Sequence, residues 1–203
     1  MHTMLLTTGI MTAYTTFSKF LYELGMLRRV QREGWKLLGV DHPESVAEHS
    51  LRAAQIAYVL ASLEQHPSPE TVCSILVFHD IGECRIGDVQ KVANRYIQSD
   101  EQRAVKDQVK PLGEIGENIF QLWDEIESQN SETGIIAKDA DLLELAITAC
   151  EYKNQGYSAA DDWLQKTKKR LQTSSAKKLL NSFIRTNPMS WWDGLKKIDK
   201  NLR

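Results

Sequence analysis

The sequence predicts an all-α fold, a helical bundle of roughly seven to nine helices. Apolar residues recur at the three- and four-residue spacing of amphipathic helices through most of the chain. No segment alternates apolar and polar residues as a half-buried β-strand does, and no internal repeat or low-complexity tract is present. The length of 203 residues favours a single domain, residues 1–203, that is large enough to bury a core.

The first two predicted helices flank a loop. Apolar side chains keep helical spacing from Phe17 to Val30, and the loop that follows carries Arg32 and Trp35. The second helix is predicted over residues 43–64, with Pro43 in the first turn, where its missing N–H costs little.

The third predicted helix is the short apolar stretch from Val72 to Phe78, which leads into His79-Asp80. Its composition predicts burial nearly all round. Gly82 and Gly87 then loosen the backbone, so residues 88–98 are predicted to be loop or irregular helix.

The second half of the chain supplies the remaining helices. A polar, exposed helix is predicted from Ser99 to Lys110, and a more apolar one from Ile115 to Ile126. The stretch from Ile135 to Tyr152 predicts the longest buried helix after the second one. Residues 157–203 keep helix-compatible spacing, and we expect them to pack on a core formed by residues 17–156.

The composition argues against several functional classes. Lys and Arg number 25 against 27 Asp and Glu, a formal net charge of -2, so no basic excess points to a nucleic acid polymer. No run of about 18 apolar residues occurs, so no membrane partner is expected. The N-terminus lacks a basic signal-peptide region, and three cysteines without a C-x-x-C pair favour a reducing environment. We therefore predict a cytoplasmic location.

Residues of types that commonly bind divalent metals occur in three separate predicted helices. His49 lies early in the second helix, and His79 and Asp80 lie at the polar end of the third. Asp141 stands in the most hydrophobic helix of the C-terminal half, where a lone buried carboxylate costs several kcal/mol unless a cation or donor meets it. Asp139 competes with Asp141, but two residues apart on a helix they point about 200° apart, so only one can face the site.

Two imidazoles and two carboxylates together predict a site for one divalent ion, such as Mn, Co, Zn, Fe or Mg. Each residue also has an ordinary structural interpretation. His79 and Asp80 could simply terminate a helix, and His49 could be a core histidine that bonds a backbone carbonyl. A metal site requires these side chains to converge in the folded structure, whereas the ordinary structural roles do not.

This pattern resembles the HD-domain phosphohydrolase superfamily, and most closely its YfbR-like 5′-deoxynucleotidase branch. The similarity extends from about Phe17 to about Gly156. It is carried by Leu27-Arg28-Arg29-Val30-Gln31-Arg32-Glu33-Gly34-Trp35, Glu44-Ser45-Val46-Ala47-Glu48-His49-Ser50, His79-Asp80-Ile81-Gly82-Glu83, Gly87-Asp88, and Asp141 followed by Glu151-Tyr152. The resemblance implies an HD-type bundle that is a homodimer and converts deoxynucleoside 5′-monophosphates to deoxynucleosides and phosphate.

The resemblance also implies roles for neighbours of the metal ligands. Glu83, three residues after Asp80, matches the acid/base carboxylate, and Asp88 matches an aspartate that contacts substrate. Arg32 and Trp35 match the arginine and tryptophan that hold phosphate and sugar. In some members these two residues adjoin, whereas Glu33 and Gly34 separate them here, so Arg28 or Arg29 is the alternative phosphate contact.

Other functions stay open at this level. An HD site is shared by hydrolases of nucleoside triphosphates and of cyclic nucleotides, and it could hold a structural metal in a non-catalytic interaction protein. A metal-dependent oxygenase would need further ligands, for which His42 and Glu48 are the nearest candidates. The basic cluster from Lys166 to Arg170 lacks interleaved aromatic residues and is predicted to be a solvated helix face.

Overall fold

The computed structural model describes residues 14–195, and these residues form nine α-helices with no β-strand, which confirms the predicted all-α fold. The described part of helix α1 covers residues 14–24. The other helices are α2 (Val46–Leu63), α3 (Pro69–Phe78), α4 (Glu83–Ile86), α5 (Glu101–Val109), α6 (Glu114–Ser128), α7 (Glu132–Asn154), α8 (Asp161–Arg170) and α9 (Ser174–Arg185).

The region before α2 differs from its prediction in detail. The described part of α1 gives way to a 3-10 helix, Gly25–Arg28, before the predicted end of the first helix. Trp35 lies in a second 3-10 helix, Glu33–Leu38, and not in an open loop. Local i to i+3 hydrogen bonds therefore hold this segment in a defined conformation.

Helix α2 begins at Val46, so the prediction that Pro43 opens it was wrong. Ser45 is the N-cap. Its hydroxyl accepts from the Glu48 amide at 3.3 Å, and the Glu48 carboxylate accepts from the Ser45 amide at 2.7 Å. This reciprocal pair satisfies two helix-end donors and fixes where the helix starts, one turn before His49.

Helix α3 is buried on one side only, which corrects the expectation of burial all round. Val72, Ile75 and Leu76 are fully buried, whereas Val77 is 49% exposed. The reason is that α3 packs against α2, α6 and α7 on one side and meets solvent on the other.

Helix α7 is the centre of the bundle and, with 23 residues, it exceeds the 18 of α2, contrary to the predicted order of lengths. It contacts α2, α3, α6, α8 and α9. The main apolar core lies around it. Because α2, α3 and α7 are mutually packed, polar side chains on their facing surfaces are brought together inside the bundle.

The C-terminal helices α8 and α9 pack on α7, with Leu164, Leu171 and Leu180 buried in the core. Asp139 of α7 links the segment between α8 and α9 to α7, because its fully buried carboxylate accepts hydrogen bonds from the amides of Gln172 and Thr173. The single-domain organisation of residues 1–203 stays a prediction. Within residues 14–195, no helix combines the length and apolarity needed to cross a bilayer.

Candidate metal centre and substrate cavity

The four predicted metal ligands meet where α2, the end of α3 and α7 face one another. Nε2 of His49 lies 3.3 Å from Nε2 of His79 and 3.3 Å from Oδ1 of Asp141. Oδ2 of Asp80 lies 3.6 Å from the His49 nitrogen and 3.2 Å from the His79 nitrogen. The ligand atoms of His49, His79 and Asp141 all fall within 4.8 Å of one another. Asp139 points elsewhere, so Asp141 is the carboxylate of this helix that faces the site.

The Nδ1 atoms of both histidines already have hydrogen-bond partners. Nδ1 of His49 lies 2.5 Å from a Glu144 carboxylate oxygen, and Nδ1 of His79 lies 2.8 Å from the Leu76 carbonyl oxygen. A carbonyl oxygen only accepts, and an ionised carboxylate only accepts, so both Nδ1 atoms are donors. In their neutral form the rings therefore present Nε2 lone pairs toward each other and toward two carboxylates. A bound cation satisfies all four acceptors at once, so the donor set fits a divalent ion.

The charges around this cluster keep its carboxylates ionised. Burial acts to raise the pKa of Asp80 and Asp141, but nearby positive groups outweigh it and hold both pKa values below the usual range. Burial and the charge of Arg32 act to lower the pKa of His49, but hydrogen bonds to Asp141 and Glu144 raise it to about 9. The cluster therefore takes up a proton when no other cation is present.

Two basic residues flank the cluster. Nη1 of Arg32 lies 3.3 Å from Oδ2 of Asp80, and Nζ of Lys138 lies 3.0 Å from Oδ2 of Asp141. Both line an adjoining cavity of about 430 Å³, a size suited to a small ligand. The predicted alternatives for Arg32 lie elsewhere: Arg28 and Arg29 are exposed and are not among the residues that line this cavity.

Glu83 and Asp88 also line the cavity. Glu83 is 9% exposed, and its Oε2 has no hydrogen-bond partner among the described residues. Burial and the neighbouring Asp80 raise the pKa of Glu83 to about 10, so the side chain is protonated at neutral pH. Asp88 accepts from the Glu33 amide at 2.7 Å. The preceding residue, Gly87, has a φ of +73°, a backbone conformation that residues other than glycine rarely adopt.

Trp35 lines the cavity, although only 1% of the residue is exposed. Its ring stacks on Trp163 at 5.6 Å and meets Tyr152 edge-on at 5.1 Å. Its Nε1 donates to Glu44 at 2.7 Å, and the same carboxylate accepts from the Tyr152 hydroxyl at 3.0 Å. The predicted contact of Trp35 with a sugar stays a prediction, but the ring is held rigidly beside the cavity.

Sequence reasoning missed three residues that support the centre. Glu144 holds His49, and Arg52 holds Glu144 at 2.8 Å and Glu151 at 2.8 Å. Lys138 pairs with Asp141. Glu144 and Lys138 lie three residues to either side of Asp141, a helical spacing that places all three on one face, so this signal was present in the sequence.

The basic cluster of α8 was predicted to be a solvated helix face, and its basic residues Lys166, Lys168, Lys169 and Arg170 are all exposed, whereas Thr167 between them is buried. Lys166, Thr167 and Arg170 line the cavity, together with Trp163 from the same helix. Lys168 and Lys169 do not line it. The residues of α8 that face the cavity are spaced at i, i+3, i+4 and i+7, one stripe of the helix.

Comparison with known proteins places these features in context. A family model described as HD domain matches residues 24–182. The 5′-deoxynucleotidase HDDC2 of Bos taurus is 31% identical over 140 residues, which cover 67% of this chain and 67% of that protein. The 5′-deoxynucleotidase hdd1 of Schizosaccharomyces pombe is 29% identical over 184 residues, or 85% of this chain and 90% of that protein. A conserved hypothetical protein from Pyrococcus furiosus has a solved structure with TM-score 0.67 and 29% identity, covering 83% of this chain and 99% of that one.

Proposed function

This chain belongs to the HD-domain family, as its sequence resemblance predicted, and on that premise we propose that it hydrolyses deoxynucleoside 5′-monophosphates to deoxynucleosides and phosphate. Relatives that carry the name 5′-deoxynucleotidase support this substrate class. The observation that carries the proposal is the convergence of His49, His79, Asp80 and Asp141 at the edge of a cavity that also holds Arg32 and Glu83.

We propose that His49, His79, Asp80 and Asp141 hold one divalent ion, with Mn, Co, Zn, Fe and Mg as the candidates. When bound, such an ion supplies Lewis acidity toward a phosphoryl oxygen and toward water. The protein itself arranges the surrounding charge. Arg32 presents a guanidinium whose fork matches phosphate oxygens, and Lys138 adds a second positive charge at the Asp141 side of the site.

Glu83 is suited to proton transfer because it lines the cavity and holds its proton at neutral pH. In the proposed reaction a water oxygen forms a bond to phosphorus as the bond between phosphorus and the 5′-oxygen breaks. Glu83 delivers a proton to that leaving oxygen, and the proton released by the attacking water returns to the Glu83 carboxylate. The fixed charges of Arg32 and Lys138 meet the negative charge that develops on the phosphoryl group. Asp88 and Trp35 also line the cavity, and we propose that they contact the substrate, Trp35 through its sugar.

A metal-by-substrate screen tests this function. Protein stripped with a chelator would be reloaded with each candidate ion and assayed for phosphate release from deoxynucleoside and ribonucleoside mono- and triphosphates. We expect release from deoxynucleoside monophosphates only when metal is present. Metal binding without hydrolysis of any of these compounds would favour a non-catalytic metal protein instead.

Two further parts of the assignment are proposals. We propose a homodimer, on the resemblance of the sequence to a family that is commonly dimeric. Trp191 is 72% exposed and does not belong to the core. A cytoplasmic location also stays a prediction from composition.

A further inference from the structure

Glu44 lies behind the cavity wall, in the segment just before α2, and it is not among the residues that line the cavity. Its main-chain carbonyl oxygen accepts a hydrogen bond from the Arg32 amide at 3.0 Å. Its side-chain Oε1 accepts from Nε1 of Trp35 at 2.7 Å. One residue outside the cavity therefore holds both residues to which the proposed function assigns the phosphate and the sugar.

The second oxygen of the Glu44 carboxylate is bound to helix α7. Oε2 accepts from the Tyr152 hydroxyl at 3.0 Å. Burial and the negative charge of Glu44 raise the pKa of Tyr152, so this hydroxyl keeps its proton and acts as the donor. Because α7 also carries Asp141, the Glu44 side chain connects the Trp35 ring to the helix that supplies a proposed metal ligand.

The position of Glu44 requires two hydrogen-bond acceptors on one side chain. An indole N–H can only donate, and the Tyr152 hydroxyl donates here as well. Trp35 is 1% exposed, so its N–H is shielded from bulk water, and a buried donor without an acceptor is costly. The carboxylate therefore selects one orientation of the ring against Trp163 and Tyr152, the two aromatic residues that it contacts.

We propose that Glu44 is a positioning residue that sets the preference for deoxyribonucleotides over ribonucleotides, because it holds the Trp35 ring where a 2′-hydroxyl of the substrate would need space. This inference rests on the proposed function, in which Trp35 contacts the sugar, and it assigns the sugar selectivity of that site to a side chain outside the cavity. The Arg32 amide bonds the main chain of Glu44, which a side-chain substitution leaves in place. Sugar selectivity should therefore depend on the Glu44 side chain more than phosphate binding does.

The test compares deoxyadenosine 5′-monophosphate with adenosine 5′-monophosphate as substrates of the metal-loaded full chain. We expect the wild type to favour the deoxyribonucleotide. Glu44→Ala should lower the ratio of the two kcat/KM values by about tenfold or more, since small displacements of a positioning group have effects of this size. A lower KM for the ribonucleotide should account for most of the change. Loss of metal or stability lowers both rates together and so leaves the ratio unchanged.

Two further variants separate the hydrogen bonds of Glu44 from its charge. Glu44→Gln should keep most of the preference, because the amide oxygen can accept from Nε1 of Trp35 and the amide NH2 group can donate to the Tyr152 oxygen. Tyr152→Phe removes only the bond to α7 and should lower the ratio less than Glu44→Ala does. If melting curves show that Glu44→Ala does not fold, Tyr152→Phe carries the test, and an unchanged ratio in that variant overturns the proposal.

Glu48→Ala is the matched control. It removes the same side chain four residues later and breaks the cap at Ser45, but the hydrogen bonds of Glu48 are to Ser45 and not to Trp35 or Tyr152. This variant should have a lower melting temperature and the ratio of the wild type. An unchanged ratio in folded Glu44→Ala would overturn the proposal, as would an equal fall in Glu48→Ala or a wild type without preference for the deoxyribonucleotide.

Failure of the proposed function is distinguishable from failure of this inference. If both nucleotides are hydrolysed with equal kcat/KM, phosphomonoester hydrolysis stands and the role of Glu44 falls. If neither is hydrolysed, the proposed function falls, and calorimetric titration of the metal-loaded protein with the same two nucleotides tests the inference separately. Tighter binding of the deoxyribonucleotide that Glu44→Ala reduces supports it; equal affinities, or no binding of either nucleotide, overturn it.

Discussion

Glu144 of helix α7 and His49 of helix α2 form a buried pair, with Oε2 of the carboxylate 2.5 Å from Nδ1 of the imidazole and both side chains at most 1% exposed. Burial acts to raise the pKa of Glu144, but the bond to His49 and the charge of Arg52 outweigh it and lower that pKa. The ionised carboxylate therefore holds the proton on Nδ1 and leaves Nε2 facing the proposed metal.

Glu144→Gln should weaken metal binding by about 10–100-fold, because the neutral amide no longer fixes the tautomer of His49 or raises its basicity. Competition with a chelator of known affinity measures the change. Glu151→Gln is the matched control, since Glu151 bonds Arg52 but does not contact a histidine. Equal metal affinities of Glu144→Gln and the wild type would show that the pair has no influence on the site.

Glu83→Gln should abolish hydrolysis while metal binding persists, and it should also stabilise the metal-free protein. The folded-state pKa of Glu83 is raised to about 10, so between about pH 4.5 and 10 the unfolded chain loses a proton that the folded chain keeps. The wild type therefore loses stability as pH rises through that range, whereas the glutamine variant does not. At pH 7 the variant should be more stable by on the order of 1 kcal/mol or more.

Urea unfolding of wild type and Glu83→Gln at pH 5, 7 and 8.5 measures this difference. The gap between the two proteins should widen with pH. A constant gap would mean that Glu83 is ionised in the folded state, and the proposed proton donor would then lack its proton.

Arg32→Ala should lower kcat/KM for a deoxynucleoside monophosphate by about 100-fold, because a charged hydrogen bond to phosphate is lost and Asp80 loses a partner. Arg28→Ala is the control, since Arg28 is exposed and lies outside the cavity. If Arg28→Ala causes the larger loss, the phosphate contact has been assigned to the wrong arginine.

Trp35→Ala should lower the free energy of unfolding by about 3–5 kcal/mol, the usual cost of removing a large aromatic side chain from a core. Trp35 is 1% exposed and packs against Trp163 and Tyr152, whereas Trp191 is 72% exposed. Trp191→Ala should therefore change stability by well under 1 kcal/mol in the same denaturant experiment. Similar losses in both variants would contradict the buried position of Trp35.

The metal-ligand candidates could be found from the sequence because their residue types are unusual where they stand. His49 and Asp141 interrupt apolar helix faces, and His79-Asp80 ends an apolar stretch. Helical periodicity showed that only one of Asp139 and Asp141 can face the site. Packing decided which one, because Asp139 accepts hydrogen bonds from backbone amides of the loop before α9.

Other features depended on tertiary packing that periodicity does not contain. A lysine-rich stretch such as residues 166–170 has the same pattern whether its helix faces water or a cavity, and the packing of α8 on α7 decides which. The start of α2 was readable in principle, because Ser45 followed three residues later by Glu48 is a capping-box pattern. The prediction instead placed the start of the helix at the proline two residues earlier.

Cobalt titration of the metal-free protein, followed by visible absorption, tests the central claim that four side chains from three helices bind one ion. We predict one cobalt ion per chain, with affinity lowered by at least about tenfold in His49→Ala, His79→Ala, Asp80→Ala and Asp141→Ala. His66→Ala, which removes a histidine that bonds Thr133 instead, should bind as the wild type does. Unchanged cobalt affinity in folded variants at those four positions would contradict the claim.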